Sequence, residues 1–102
     1  MSVKKQYFKT KPLCKVTFRL SKEMAKSAET AHVVGEFNDW DVGATPMKKL
    51  KNGGFTAIID LKPGSEYQFR YLLDTTIWEN DPGADKQVPS PYRGVKNSVV
   101  IV

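Results

Sequence analysis

Residue types able to do covalent or metal chemistry are sparse in this 102-residue chain, which holds one histidine, His32, and one cysteine, Cys14. A protein zinc site takes three or four Cys, His or carboxylate ligands, and neither residue has a second of its kind. His32 falls within an apolar run and Cys14 at the start of another, so both read as structural, the cysteine as a small hydrophobe. No GxSxG elbow marks a nucleophile, and no GxxxxGK[ST] loop is present to cradle phosphates. Acids are plentiful in the turns: Asp39, Asp41, Asp74, Glu79, Asp81 and Asp85. Two carboxylates about 5–9.5 Å apart could hydrolyse a glycosidic bond. Acids in turns are ordinarily solvated turn formers, however, and so small a domain offers no deep cleft to exclude water. No catalytic residue, cofactor or metal is expected.

Two aromatic residues stand out by their company. Trp40 lies in GEFNDWD (35–41) and Trp78 in IWEND (77–81), each at the junction of an apolar run with turn-forming residues. One reading folds these indoles over an edge of the core. The other leaves them as flat platforms, each with broad apolar area and one N–H donor, suited to a ligand with an apolar face and a hydroxylated rim. A pyranose ring is such a ligand.

The elements that must position them are strands. CKVTFRL (14–20) alternates, with Val16, Phe18 and Leu20 on one face. Strands are also expected at 31–37, at 45–50 with Pro46 holding it to an edge or a strand start, and at 54–61, 66–74, 77–80 and 97–102. Asn52-Gly53 predicts a tight hairpin and Pro63-Gly64 a second turn. Alternation in EYQFRYLLD turns Tyr67, Phe69, Tyr71 and Leu73 inward and exposes Arg70. Residues 21–30 are either a short helix capped by Ser21 or a polar connection, and residues 81–94 are irregular. About seven short strands with turns between them predict an all-β protein, an immunoglobulin-like antiparallel β-sandwich. Residues 1–12 read as a loose basic arm and 13–102 as one domain, which together look like a complete small protein.

Composition agrees with a single soluble domain: 40% hydrophobic, 26% charged, net charge +5. No apolar run approaches the ~20 residues of a membrane span, and no signal-peptide core follows the basic N-terminus. A lone cysteine forms no intrachain disulfide, so a cytoplasmic protein is expected. Residues 1–26 hold eight basic residues and one acid, Glu23. The basic residues are scattered, which reads as a solubilising segment; a nucleic-acid partner is not expected.

Four stretches in order, GEFNDWD, NGGFTAIIDLKPG (52–64), EYQFRYLLDTTIWENDPGA (66–84) and GVKNSVVIV (94–102), resemble carbohydrate-binding module family 48. This is the N-terminal domain of isoamylases and branching enzymes and the glycogen-binding domain of the AMP-activated protein kinase β subunit. The resemblance implies a non-catalytic module that binds α-1,4-glucan (glycogen, starch or maltooligosaccharide), and implies no enzyme. It assigns sugar stacking to Trp40 and Trp78 and hydroxyl contacts to Arg70, where the kinase subunits have lysine, and to Asn97. The chain departs from those subunits at Arg93 and Val95, and its turn between Asp74 and Trp78 is one residue longer. Members of the family also dock on protein partners, a glucan-metabolising enzyme or a kinase. The alternative reading is therefore a protein-interaction or regulatory module of the same fold that has lost sugar binding, docking through the basic arm or the apolar NSVVIV strand.

Overall fold

The computed structural model describes residues 3–91 and 94–102. It is all-β, an immunoglobulin-like sandwich of two antiparallel sheets. The strands are β1 (Val3–Tyr7), β2 (Cys14–Leu20), β3 (Ala31–Gly35), β4 (Lys48–Lys49), β5 (Phe55–Leu61), β6 (Glu66–Leu73), β7 (Ile77–Glu79), β8 (Lys86–Pro89) and β9 (Lys96–Ile101). The first sheet runs β1-β2-β5-β4 and the second β3-β6-β9-β8, with β7 paired to the far half of β6.

Seven of these strands fall on the segments where the sequence predicts strands; β1 and β8 are the additional two. β1 lies inside the segment read as a loose arm. Its two adjacent lysines hide the period of two, yet Val3 is opposite Phe18 and buried to 6% exposure. Lys5 points toward the interior at the sheet edge, where its Nζ meets Asp85 Oδ2 at 2.7 Å. An inward charge on an edge strand also discourages pairing with another chain. β8 lies in the segment expected to be irregular; Pro89 interrupts its strand pattern, and an edge strand tolerates proline. β9, the apolar NSVVIV segment, runs between β6 and β8 with residues 97–100 buried, which leaves Ile101 as its exposed apolar residue.

The core lies between the sheets. Val16, Phe18 and Leu20 from β2 meet Phe55 from β5 and Phe69, Tyr71 and Leu73 from β6. Phe18 and Phe69 pack edge to face at 5.0 Å, as do Phe69 and Tyr71 at 5.6 Å. Such tilted pairs align the ring edge with the negative face of its neighbour. Between β2 and β3 the chain makes one helical turn, α1 (Lys22–Ala25), capped by Ser21 Oγ accepting from Met24 N at 3.2 Å.

The Asn-Gly hairpin forms with a different turn from the one its dipeptide suggests. Only Gly53 has positive φ (92°). The three-residue loop 51–53 is closed by Gly53 N donating to Leu50 O (3.0 Å) and Leu50 N to Gly54 O (2.8 Å). Asn52 stays out of the left-handed region and instead accepts from Gly54 N at 2.9 Å. This is a turn followed by a glycine bulge, the usual three-residue hairpin connection.

Candidate functional site

The stretch GEFNDWD is built residue by residue into the end of β3. Gly35 approaches β6 so closely that a Cβ there would lie 2.4 Å from Gln68 O. Glu36 Oε1 accepts from Gln68 N at 2.6 Å. Phe37 enters the core edge, 5.5 Å from Phe18. Asn38 accepts from Gly35 N and donates to Val33 O and Thr45 Oγ1, all at 3.0 Å. The 3-10 turn Glu36–Asn38 then closes with Trp40 N donating to Gly35 O (2.9 Å) and Asp39 N to Glu36 O (3.5 Å). This is a Schellman arrangement that satisfies the terminal carbonyls. The side chains of 36–38 are consumed in holding the turn. Trp40, tied by its backbone, keeps 37% of its surface exposed.

Trp78 reaches the surface by register. On β6, Gln68, Arg70 and Leu72 share the outer face of the second sheet, because alternate residues of a strand do. Trp78 lies opposite Leu72, Val34 opposite Arg70, and Val99 opposite Gln68, with Asn97 two residues further along β9. Trp78 is 39% exposed. The Arg70 guanidinium stands 5.4 Å from the centre of its ring, within cation–π range. Three of the four expected residues, Arg70, Trp78 and Asn97, therefore stand on one face. Trp40 is anchored at the end of the neighbouring strand, on Gly35, which pairs with Phe69 beside Arg70.

Two of these side chains differ from a simple exposed reading. Arg70 is half-buried, and its Nε is buried with no hydrogen-bond partner among the described residues. Asn97 is only 5% exposed and donates from Nδ2 to Gln68 Oε1 at 3.0 Å. The half-buried Gln68 is thus the more accessible amide of the pair. Its place in the alternation was visible, but nothing in the sequence marked it as a partner of Asn97. His32 flanks Leu72 on the same face, with Nδ1 buried and without a partner among the described residues. Arg93, one of the two departures in the loop before Asn97, lies outside the described residues.

A buried polar network fixes the site from behind. Asp81, fully buried, accepts from Tyr71 Oη at 2.8 Å and from Gly83 N at 2.8 Å, and its own N–H donates to Ser98 Oγ. Ser98 in turn donates to Asn80 Oδ1. Tyr71 neighbours Arg70, Ser98 neighbours Asn97, and Asp81 follows the strand that carries Trp78, so one residue, through its carboxylate to Tyr71 and its backbone N–H to Ser98, ties all three positions together. Burial, and then the adjacent Asp81 carboxylate, push the Tyr71 phenol far above its ordinary value. Glu79, next to Trp78, is ion-paired with Lys26 at the end of α1.

No group of three or more His, Cys, Asp or Glu among the described residues is arranged to hold a metal. No described helix is long and apolar enough to cross a membrane.

A β-sandwich with a half-exposed indole, a guanidinium and an amide pair on one sheet face has the form of a surface-binding module. The chain belongs to the carbohydrate-binding module 48 family, also described as the isoamylase N-terminal domain, whose model matches residues 12–92. Carbohydrate binding is the character of that family. The match includes Trp40, Arg70 and Trp78 and stops before Asn97. No curated protein matches the chain as a relative.

Proposed function

We propose that this protein binds α-1,4-glucan on the outer face of its second sheet, without catalysing any reaction. Trp78 and Trp40 stack on glucose units, while Arg70 and the Asn97–Gln68 pair meet ring hydroxyls. The observation that carries the reading is Trp78, 39% exposed beneath the Arg70 guanidinium on the face that also bears Asn97. Removing roughly 100 Å² of apolar surface per stack contributes about 2–3 kcal/mol gross. Hydroxyl contacts add about 0.5–1.5 kcal/mol each, and the cost of ordering the sugar offsets much of the total. A dissociation constant of about 10 µM to 1 mM follows, sufficient on a polymer that offers many neighbouring repeats. In this reading residues 13–102 are the binding module, residues 1–12 add the edge strand β1, and the lone Cys14 suits the cytoplasm.

Titration with β-cyclodextrin or maltoheptaose, followed by tryptophan emission, tests the proposal. Saturable quenching or enhancement in the stated range is expected. Trp78→Ala should weaken binding at least about ten-fold, the loss of one stack, and Trp40→Ala should do likewise. An unchanged emission spectrum at millimolar sugar, or glycogen retention undiminished in both variants, would overturn it.

A further inference from the structure

The outer face of the first sheet is chemically unlike that of the second. Its registers set Gln6, Lys15 and Asp60 in one row, Lys4, Thr17 and Ile58 in the next, and Arg19, Thr56 and Lys48 in a third. Four cations and one acid give this face +3 of the chain's +5. Among the described residues, the ion pairs Lys5–Asp85, Lys26–Glu79, Lys49–Glu29 and Lys86–Glu66 use none of the four. In the second row, Ile58 is 60% exposed, the most exposed of the large apolar side chains described. With strands about 4.8 Å apart and same-face residues about 6.8 Å apart, all four cationic positions lie within roughly 10 Å of Ile58. A shallow depression of about 260 Å³ adjoins it, lined by Lys4, Lys5, Gln6, Lys15 and Thr17.

We infer that this face docks an acidic segment of a partner protein, whose carboxylates meet Lys4, Lys15, Arg19 and Lys48 around an apolar side chain that covers Ile58. Unpaired cations on a grid favour a polyanion, since charge complementarity steers and orients association. The middle of the grid decides which polyanion. Ile58 and the flanking Thr17 and Thr56 reward contact with an apolar side chain, which a phosphodiester backbone does not supply. Asp60 repels phosphates, and none of the residues on these three rows is an aromatic on which a base could stack. The footprint of four short strands is small, so docking is weak and salt-sensitive. The face lies across the sandwich from Arg70 and Trp78, so its occupant does not compete with a ligand there.

The test is a titration of the ¹⁵N-labelled chain with three probes: an octapeptide of glutamates around one central leucine, its all-glutamate analogue, and a single-stranded DNA oligonucleotide of equal charge. Amide shifts confined to β1, β2, β4 and β5 are expected, with the leucine peptide bound at least about three-fold tighter than the analogue. Ile58→Ser should abolish that advantage. Lys15→Glu with Arg19→Glu should weaken the peptide at least about ten-fold, leaving the melting temperature and the β-cyclodextrin response of the same sample unchanged. No shifts at millimolar peptide, shifts on the second sheet instead, an Ile58→Ser variant that keeps the leucine advantage, or tighter binding of the oligonucleotide would each overturn the inference. Loss of the cyclodextrin response alone bears only on the glucan reading.

Discussion

Asp81 concentrates more consequence than any other single side chain described. It carries no exposed surface, yet its two oxygens accept from Tyr71 and Gly83. Replacing it with alanine leaves a buried phenol and a backbone N–H without acceptors. Each neutral buried donor left unsatisfied costs about 1–3 kcal/mol. Asp81→Ala should therefore lose stability of that order in urea unfolding, and any folded fraction should bind sugar poorly. Asp81→Asn, which keeps one acceptor oxygen, should lose less. Arg70 makes a separable prediction. Its guanidinium sits over an exposed indole and does not hold the core together, so Arg70→Ala should weaken maltoheptaose binding about three- to ten-fold, the size of one such contact. Its melting temperature should scarcely move.

The β6–β7 hairpin, which presents Trp78, carries local backbone strain. Asp74 and Thr75 both take positive φ, 50° and 58°, and Thr76 N donates to Leu73 O at 3.0 Å. Two left-handed residues at the centre of a hairpin match the twist of the strands. Asp74 compensates by accepting from Glu29 N and Thr30 N through Oδ1. Thr75 has no comparable gain, since its hydroxyl bonds only to the neighbouring Asp74 O. A β-branched residue in that region is an outlier costing about 1–3 kcal/mol. Thr75→Gly should raise stability by about 1 kcal/mol after glycine's extra chain entropy is counted, or about 4–8 °C in melting temperature for a domain this size. A fall in Tm would show that the strain is not there.

The two sheets are joined at the β1 edge by Lys5 and Asp85. Partial burial pulls the Asp85 pKa upward, but the Ile101 N–H and the Lys5 ammonium outweigh it and hold the carboxyl below its ordinary value. A depressed folded-state pKa contributes stability that is present above the unfolded carboxylate value near ~3.9 and is lost as pH falls through the folded one. The clamp should thus be intact at neutral pH and fail only below about pH 4. Asp85→Asn should flatten that acid limb, measured as urea unfolding between pH 7 and 2.5. A steep loss between pH 5 and 7 that vanished in the variant would contradict the sign of the shift. Tyr71 acts at the other end of the scale. Its raised pKa keeps the phenol neutral, so stability is fully present below the ordinary tyrosine value near ~10 and is lost as pH rises past it.

Alternation over 14–20, 54–61 and 66–74 determined which residues face the core, and with it the sandwich, because the period of two is a local property of extended chain. The aromatic pair in polar company was legible for the same reason: a tryptophan among turn formers departs from local expectation. What the sequence could not carry was pairing. That Trp78 stands opposite Leu72, that Gln68 takes up the Asn97 amide, and that three rows of cations share a face with Ile58 all depend on strand order and register. Those follow from contacts between residues tens of positions apart, decided only when the whole core closes. β1 shows the limit most clearly, since nothing local in VKKQY separates a basic arm from an edge strand until Val3 finds Phe18 and Lys5 finds Asp85.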